Sequence, residues 1–510
     1  MPPAAGAGEL LSRVPSFLGR PGGGYTGAMP SPSIRLATFV STCVLACAVA
    51  PSTDGHEPEP ERAAAPPNVV LVMADDQGWG ELSARGHPWL ETPGLDALMH
   101  EGVSFERFRA AAPVCSPTRG SVLTGRHPNR YGCLAWGHEI PADEVTLAEL
   151  LRERGYATGH FGKWHVGSTR RGEPTCPGVQ GFDVWHSAPN FFDLDPLLSE
   201  NGRVVETRGE GSEIVVERAL RFIEESRDEG RPFLAVLWFG SPHDPHQGTP
   251  ADLQALAEIP EPLRAYAAEF RALDRSVGRL RDQLAELGLS QDTIVWYTSD
   301  NGPRPPDEGQ PGDRSTAGLR GRKGSLWEGG VRVPSLLEWP GRLEGGRTLD
   351  VASGTIDILP TVLGLAGIDP PEALVLDGVD LAPALEDPDW GRPPMGFWTV
   401  PAPGRAMHSD RILQAQRDLG PPLGPAPRVP LGDDLPGAAA WVDGVWKLHR
   451  RPAAVGAVQE SLYRLDVDPD ETDDLVTAEP ERVVAMREAL LAWQRSVVAD
   501  ERDRPVGMRR

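Results

Sequence analysis

Short, continuous runs of apolar and β-branched residues recur along this chain. They lie at Asn68–Ala74, Phe233–Phe239 and Thr293–Thr298. Such runs are typical of strands that are buried on both faces of a parallel sheet. The segments between them instead repeat their leucines every three or four residues, which predicts amphipathic helices. The helical positions are Leu147, Leu150 and Leu151 in one segment, and Leu263, Tyr266, Phe270, Leu273, Val277, Leu280, Leu284 and Leu287 in a longer one. Strands that alternate with helices predict an α/β sandwich.

The pattern changes after about residue 385. Residues 400–437 are rich in proline and glycine, which predicts a loop. Short strand-like pieces follow at Ala440–Val442, Val445–His449 and Leu462–Leu465, and a helix is predicted over Pro480–Val497. We therefore expect a main domain over 67–390, a smaller α+β subdomain with an antiparallel sheet and one helix over 391–500, and a tail over 501–510.

The start of the chain has the features of a targeting segment. An apolar run, Leu36–Ala50, follows Arg35 and ends in the small-residue pattern Ala48-Val49-Ala50. It is shorter than the roughly 20 apolar residues of a membrane span, so residues 1–50 are predicted to be an export signal, with Met29 as an alternative start. Val44-Leu45-Ala46-Cys47 also resembles a loose bacterial lipobox, which would lipidate Cys47 and tether the protein through a linker over 51–66. Lipidation at Cys47 and simple cleavage near Ala50 both remain open.

Composition narrows the class of protein. A hydrophobic fraction of 40% with 24% charged residues is ordinary for a soluble globular protein, and a formal charge of -23 argues against a nucleic-acid partner. An anionic substrate would need a local cluster of positive charge. The five cysteines are too few for a disulfide scaffold. Whether Cys133 and Cys176 pair is left open.

Oxygen-bearing side chains directly follow two of the predicted strands. Asp75 and Asp76 come after the first strand, and Asp300 and Asn301 after a later one. In open α/β sheets, ligands bind at the carboxyl ends of the strands, so both pairs can meet at one rim. An all-oxygen ligand set suits Ca²⁺ or Mg²⁺ rather than zinc.

The segment from Cys115 to Arg126 is the most specific motif in the chain. It contains Cys115-Ser116-Pro117-Thr118-Arg119 and then Leu123-Thr124-Gly125-Arg126. Both halves resemble the signature of the sulfatases, in which the cysteine is oxidised to formylglycine. Four further segments resemble phrases of the same family: Pro67–Gly80, Gly162-Lys163-Trp164-His165, Ser241–His246 and Gly321–Pro334. The resemblance is dense over residues 67–390 and thins beyond.

The resemblance implies a fold, a cofactor and a set of roles. The expected fold is alkaline-phosphatase-like, a large, mixed, mostly parallel sheet sandwiched by helices. The expected cofactors are formylglycine at residue 115, made by a formylglycine-generating enzyme, and one Ca²⁺ held by Asp75, Asp76, Asp300, Asn301 and residue 115. The implied catalytic residues are Cys115, Arg119, Lys163, His165, His243 and Lys323. Arg119 would hold the hydrated aldehyde, the lysines and His165 would contact it or the sulfate, and His243 would protonate the leaving group.

Lysine is scarce in this arginine-rich chain. Lys163, Lys323 and Lys447 are its only lysines. In a chain that otherwise uses arginine, we expect lysine at positions where a compact ammonium fits and a planar guanidinium does not. Lys163 and Lys323 lie in the motifs described above. Lys447, in Val445-Trp446-Lys447-Leu448, is assigned a structural role.

The sequence therefore predicts an exported sulfatase acting on a sulfated carbohydrate or an aryl sulfate. The alternatives are a formylglycine-dependent phosphodiesterase or phosphonate monoester hydrolase, and a non-catalytic carbohydrate-binding lipoprotein on the same scaffold. The substrate stays undetermined. Five residues could either line the substrate pocket or have a core or loop role, and the sequence favours neither: Trp136, His138, His186, Asn190 and Phe192. For His246, contact with the substrate and a loop position without a role are likewise both open.

Overall fold

The computed structural model describes residues 65–503 except 262, 306–314, 388 and 455. In this part of the chain ten strands form one sheet in the order β10-β2-β9-β8-β1-β7-β3-β4-β5-β6. The strands are β1 (Asn68–Ala74), β2 (Val103–Arg109), β3 (Ala157–Lys163), β4 (Val184–Ala188), β5 (Leu197–Glu200), β6 (Arg203–Glu206), β7 (Phe233–Trp238), β8 (Thr293–Ser299), β9 (Ser335–Glu338) and β10 (Arg347–Gly354). Strand β1 lies between β7 and β8 and is parallel to both, whereas β5, β6 and β9 run antiparallel to their neighbours.

Helices cover both faces of this sheet. The helices of the described residues are α1 (Pro93–Glu101), α2 (Cys115–Thr124), α3 (Leu147–Glu153), α4 (Gly211–Asp228), α5 (Pro250–Ala255), α6 (Leu263–Glu286), α7 (Glu328–Val331), α8 (Ile358–Leu365), α9 (Ala382–Glu386), α10 (Ser409–Arg417) and α11 (Pro480–Asp503). Alternate residues of β1 face opposite cores, because side chains alternate along a strand. Val69, Leu71 and Met73 pack with α2, α3 and α8, while Val70, Val72 and Ala74 pack with α1, α4 and α6. The predicted mixed sheet sandwiched by helices is confirmed.

A second, antiparallel sheet follows the main one. Its strands are β11 (Met395–Thr399), β12 (Ala438–Asp443), β13 (Trp446–Pro452) and β14 (Val458–Arg464), paired in chain order. Helix α11 packs on this sheet through Val483, Leu490 and Val497, which share a core with residues of β12, β13 and β14. The predicted small sheet with one helix is confirmed, and α11 continues to Asp503, into the segment predicted as a tail.

One prediction for the second half is wrong. Residues 400–437 were predicted to be a loop, but α10 forms within them. Leu413 is fully buried, and Gln416 donates hydrogen bonds to Ser199 Oγ (3.2 Å) and to the Gly202 carbonyl (2.7 Å). These contacts with the edge of the main sheet stabilise a short helix that its proline- and glycine-rich surroundings conceal.

The predicted export signal over 1–50, the lipid anchor at Cys47 and most of the linker lie outside the described residues. In the part of the chain that is described, no helix combines the length and the apolar character needed to cross a bilayer.

Candidate active site

The two oxygen-bearing pairs meet at the carboxyl ends of β1 and β8. These strands are adjacent and in register to their last residues, so the pairs that follow them are neighbours. The backbone N–H of Asp76 donates to Asp300 Oδ1 (3.1 Å), and Asn301 Nδ2 donates to Asp76 Oδ1 (2.7 Å). All four side chains, including Asp75, are almost completely buried. The sheet rim therefore carries a compact cluster of side-chain oxygens.

Helix α2 places Cys115 beside this cluster. Cys115 is its first residue, after Val114 in an extended conformation, and Pro117 lies in the first turn, where a missing N–H costs little. The Sγ atom of Cys115 and ligand atoms of Asp75, Asp76 and His243 all lie within 4.8 Å of one another. The sulfur therefore stands where a modified side chain at this position would meet the cluster.

Arg119 lies one helical turn after Cys115 and joins α2 to the cluster. Its Nε and Nη2 atoms donate to Asp300 Oδ2 (3.0 and 2.6 Å), and Nη2 lies 3.6 Å from Asp75 Oδ1. Its Nη1 donates to the carbonyl of Lys163 (3.3 Å). This buried guanidinium therefore fixes α2, β8 and the end of β3 relative to one another.

Two lysines neutralise the carboxylates. Lys163, the last residue of β3, places Nζ 2.5 Å from Asp75 Oδ2. Lys323 Nζ donates to both oxygens of Asp76 (2.6 and 2.7 Å). Burial by itself would raise the pKa of Asp76, but Lys323, His243 and Lys163 together hold it well below its usual range. Asp76 is therefore ionised, and it accepts two hydrogen bonds from the ammonium of Lys323.

His243 lies on the loop after β7 and faces the same carboxylate. Its Nδ1 donates to the carbonyl of Asp244 (2.5 Å), which leaves Nε2 without a proton, 3.7 Å from Asp76 Oδ2. The ring stacks on Phe191 with 4.4 Å between the ring centres. Burial lowers the pKa of His243 to about 4, against the opposing effect of Asp76 and with the help of Lys163 and Lys323. The ring is therefore neutral at pH 7.

His165 is buried in the same region and adopts a left-handed backbone conformation with φ of 53°. Neither ring nitrogen has a hydrogen-bond partner among the described residues. Burial, Lys163 and Arg119 hold its pKa well below the usual range. A buried imidazole with two unused nitrogen atoms is costly unless a ligand completes its hydrogen bonds. His165 is therefore neutral, and a ligand can complete the hydrogen bonds of its ring nitrogens.

The oxygen cluster fits a hard divalent cation. Asp75 Oδ1 and Asn301 Oδ1 are buried and have no hydrogen-bond partner among the described residues. Burial, together with the like charge of Asp75, raises the pKa of Asp300 to about 6 against the opposing Arg119 and Lys163. A cation relieves such carboxylate repulsion and takes up the unused oxygens. The donor set of carboxylate and amide oxygens suits Ca²⁺ or Mg²⁺.

The unmodified Cys115 thiol is unreactive in this environment. Burial raises its pKa to about 12, although Lys163 and Lys323 oppose the shift. At neutral pH the sulfur therefore keeps its proton, and a protonated thiol is a poor nucleophile. The unmodified side chain is not equipped to attack an ester.

The remaining sequence candidates occupy varied positions. His246 Nδ1 lies 3.3 Å from Glu269 Oε2, and His138 Nε2 donates to the Pro403 carbonyl (3.0 Å). Asn190 donates to the Met407 carbonyl (2.8 Å), and His186 stacks on a buried phenylalanine. Phe192 is buried in the core, whereas the Trp136 side chain is 43% exposed. For each of them, a substrate contact and a core or loop role both stay open.

Cys133 and Cys176 are both buried and both free, so they do not pair in this structure.

The sequence did not predict a buried cluster of charged side chains that includes Glu328, five residues after Lys323. Glu328 receives hydrogen bonds from Arg109 (2.8 Å) and Lys447 (2.7 Å), and Lys447 lies 3.2 Å from Glu471. All four side chains are fully buried. The scarcity of lysine and the family phrase Val445-Trp446-Lys447-Leu448 pointed to a structural role for Lys447. Neither signal identified its partners, because single charged residues inside apolar segments carry no periodic signal.

Comparisons with known proteins place this site in a family context. A family model described as Sulfatase matches residues 67–368. N-acetylgalactosamine-6-sulfatase of Canis lupus familiaris is 34% identical over an alignment covering 63% of this chain and 66% of that protein, so the chain spans just under two thirds of that relative. Steryl-sulfatase of Mus musculus is 33% identical, with 70% of each protein covered. A crystal structure of a protein named Ps i-CgsB in complex with k-i-k-neocarrahexaose shares the fold, with a TM-score of 0.70, 23% identity and coverage of 84% of this chain and 93% of that one.

Proposed function

Because the chain belongs to the sulfatase family, we propose that it hydrolyses the sulfate ester of a carbohydrate or an aryl alcohol. One observation carries this proposal: the Cys115 sulfur and ligand atoms of Asp75, Asp76 and His243 lie within 4.8 Å of one another. A nucleophile position, an oxygen cluster and a histidine are thus gathered in one buried site.

We further propose that residue 115 is formylglycine, made from Cys115 by a formylglycine-generating enzyme. The motif Cys115-Ser116-Pro117-Thr118-Arg119 supports this, and burial, which raises the pKa of the thiol, leaves the unmodified cysteine protonated. A hydrated aldehyde supplies one hydroxyl that can attack sulfur and a second whose deprotonation releases sulfate.

One Ca²⁺ is proposed to bind Asp75, Asp76, Asp300, Asn301 and residue 115. Asp75 Oδ1 and Asn301 Oδ1, which find no hydrogen-bond partner in the part of the chain that the structure describes, support it. A bound divalent cation supplies Lewis-acid stabilisation of charge on a sulfate oxygen. The site's formal charges also support it: the three carboxylates are balanced by Arg119, Lys163 and Lys323. A divalent ion would make the site positive, which an anionic substrate needs in a protein of net charge -23.

The protein's own side chains have distinct roles in this proposal. Lys323 and Lys163 hold the sulfate and neutralise charge that develops on it. His243 protonates the departing alcohol through Nε2 as negative charge develops on the alcohol oxygen. His165, neutral and with both nitrogens unused, accepts the proton whose loss releases sulfate. Arg119 keeps α2 and Asp300 in a fixed relation while charge moves.

The substrate proposal remains at the level of a class. One relative is named for an amino-sugar sulfate and another for a steryl sulfate, so the names do not select one alcohol. We propose a sulfated glycan fragment or an aryl sulfate, met after export of the protein, with lipidation at Cys47 or cleavage near Ala50 as the alternative routes. A screen of sulfated mono- and disaccharides differing in ester position would identify the substrate.

The decisive experiment replaces Cys115 with serine. C115S is expected to fold normally and to lose turnover, because serine has one hydroxyl and cannot complete both steps. C176S is a matched control, since Cys176 is also a buried, free cysteine, and it should keep turnover. Peptide mass spectrometry of the active protein should show an aldehyde in place of the Cys115 thiol. Full activity of C115S, or an intact thiol in the active protein, would refute the proposal.

Parallel assays on an aryl sulfate and an aryl phosphodiester separate the sulfatase from a phosphodiesterase with the same site. Higher kcat/KM on the phosphodiester would reassign the substrate class.

A further inference from the structure

The second sheet is joined to the main domain by the buried charge cluster of Arg109, Glu328, Lys447 and Glu471. Arg109 donates to both oxygens of Glu328 (2.8 and 2.9 Å), and Lys447 Nζ lies 2.7 Å from Glu328 and 3.2 Å from Glu471. Burial would raise the pKa of Glu328, but Arg109 and Lys447 hold it well below its usual range. Glu328 is therefore ionised inside the protein, and the loss of one partner would leave a buried polar group unpaired.

This cluster lies at one end of the lysine loop, which we define as residues 319–327. Glu471 Oε2 accepts the backbone N–H of Glu328 directly after the loop (2.6 Å), and its carbonyl accepts Arg320 Nη1 (2.9 Å). Trp327 packs against His449 of β13 with 4.2 Å between the ring centres. The second sheet and the segment that follows β14 thus hold both ends of the loop.

The middle of the lysine loop reaches the proposed active site. The N–H of Lys323 donates to the carbonyl of Pro303 (3.0 Å), and the N–H of Gly324 donates to that of Pro113 (2.8 Å). Pro303 lies two residues after Asn301, and Pro113 lies two residues before Cys115. The Lys323 ammonium then meets Asp76. The loop therefore bridges the second sheet and the site of proposed chemistry.

We propose that Lys447, acting with Glu328 and Glu471, is a positioning residue for Lys323, so that the second sheet takes part in catalysis through the lysine loop. The loop contains Gly321 and Gly324 in left-handed conformations and has no regular structure of its own. Its position therefore depends on the contacts at its ends together with the two backbone hydrogen bonds at its middle. Displacing Lys323 by about 1 Å would cost a large part of the rate. This inference rests on the proposed sulfate-ester hydrolysis.

A double-mutant cycle tests the proposal. K447M removes the ammonium and keeps a chain of similar length, and K323M removes the charge at the site. Alone, K447M is expected to lower kcat/KM about tenfold and K323M about 100-fold or more. In the K323M background, K447M should change kcat/KM less than twofold, because the group it positions is already gone.

A matched control separates positioning from stability. Arg392 and Asp357 form another buried pair, with hydrogen bonds of 3.0 and 2.7 Å, outside the lysine loop. R392M should lower Tm while kcat/KM of the folded enzyme stays within twofold of wild type. A tenfold loss from K447M in both backgrounds, or no loss in either, would overturn the proposal. If K447M does not fold, E471Q takes its place in the cycle, because its amide oxygen can still accept the N–H of Glu328.

The cycle also distinguishes this inference from the proposed function. Wild-type protein that hydrolyses no sulfate ester would refute the function alone. The same four proteins would then be compared by their dissociation constants for inorganic sulfate. Non-additive weakening by K447M and K323M would support positioning, and additive weakening or none from K447M would refute it.

Discussion

Arg119 binds Asp300 through two nitrogen atoms, with Nε and Nη2 lying 3.0 and 2.6 Å from the same carboxylate oxygen. The other oxygen of Asp300 accepts the backbone N–H of Asp76. One buried contact therefore connects the helix that carries Cys115 with the ends of two neighbouring strands.

Lysine at position 119 should preserve the charge of this contact but not its geometry. We expect R119K to lower kcat about 100-fold, because an ammonium cannot replace the forked guanidinium and α2 loses its fixed position. Steady-state kinetics and thermal unfolding would measure this. R126K is the control, since Arg126 makes a similar contact with Glu144 just after α2 (2.8 and 2.9 Å). Equal losses of kcat in both variants would contradict a specific role for Arg119.

Removal of divalent cations should affect both activity and stability. Treatment with EGTA is expected to abolish turnover and lower Tm, and added Ca²⁺ should restore both, because binding to the folded state stabilises it by mass action. In N301A the Ca²⁺ concentration needed for half of the Tm shift should rise about tenfold, as one oxygen ligand is lost. A Tm that does not respond to EGTA or Ca²⁺ in the wild-type protein would contradict a Ca²⁺ at the oxygen cluster.

If His243 protonates the leaving group, the effect of removing it should depend on the acidity of the leaving alcohol. We expect H243A to lower kcat/KM about 100-fold or more for sulfate esters of poorly acidic alcohols, and much less for esters of acidic phenols, which need no proton. A series of aryl sulfates with graded leaving-group pKa would show this as a steeper dependence in the variant. H246A, at a neighbouring histidine paired with Glu269, should keep the wild-type slope. Parallel slopes for H243A and wild type would rule out proton donation.

The Asp377–Arg130 pair should make stability depend on acid pH. Asp377 accepts hydrogen bonds from Arg130 Nε and Nη2 (2.7 and 2.8 Å), and these outweigh burial to lower its pKa to about 2. Because an unfolded aspartate has a pKa of about 3.9, the pair stabilises the folded state above that pH by on the order of 2 kcal/mol. This contribution is lost as the pH falls toward 2.

Urea unfolding of D377N checks this at several pH values. The difference in unfolding free energy from wild type should be largest above pH 5 and should shrink toward pH 2. D369N, at an exposed aspartate, should show little difference at any pH. A D377N difference that does not vary with pH would contradict the assigned pKa.

The sequence by itself determined the local elements and the chemistry that follows them. The run Asn68–Ala74 is a strand with the predicted bounds, because a segment that is apolar on both faces is stable only inside a sheet. Cys115 begins a helix, and Arg119 therefore lies one turn away on the same face. The predicted ends of two strands located Asp75 and Asp300 at the rim of the sheet. The resemblance to the sulfatase motifs supplied the roles expected for the site residues.

Only the tertiary structure decided which distant groups meet. Glu328 and Glu471 are single charges without a periodic pattern, and they become partners of Lys447 because the second sheet packs beside the lysine loop. Helix α10 forms within a segment of loop-like composition because Gln416 and Leu413 find contacts at the sheet edge. Cys133 and Cys176 remain unpaired for the same reason, since their separation depends on the whole fold. Sequence patterns record local preferences for helix, strand and turn, whereas contacts between residues hundreds of positions apart arise from packing, which no local pattern encodes.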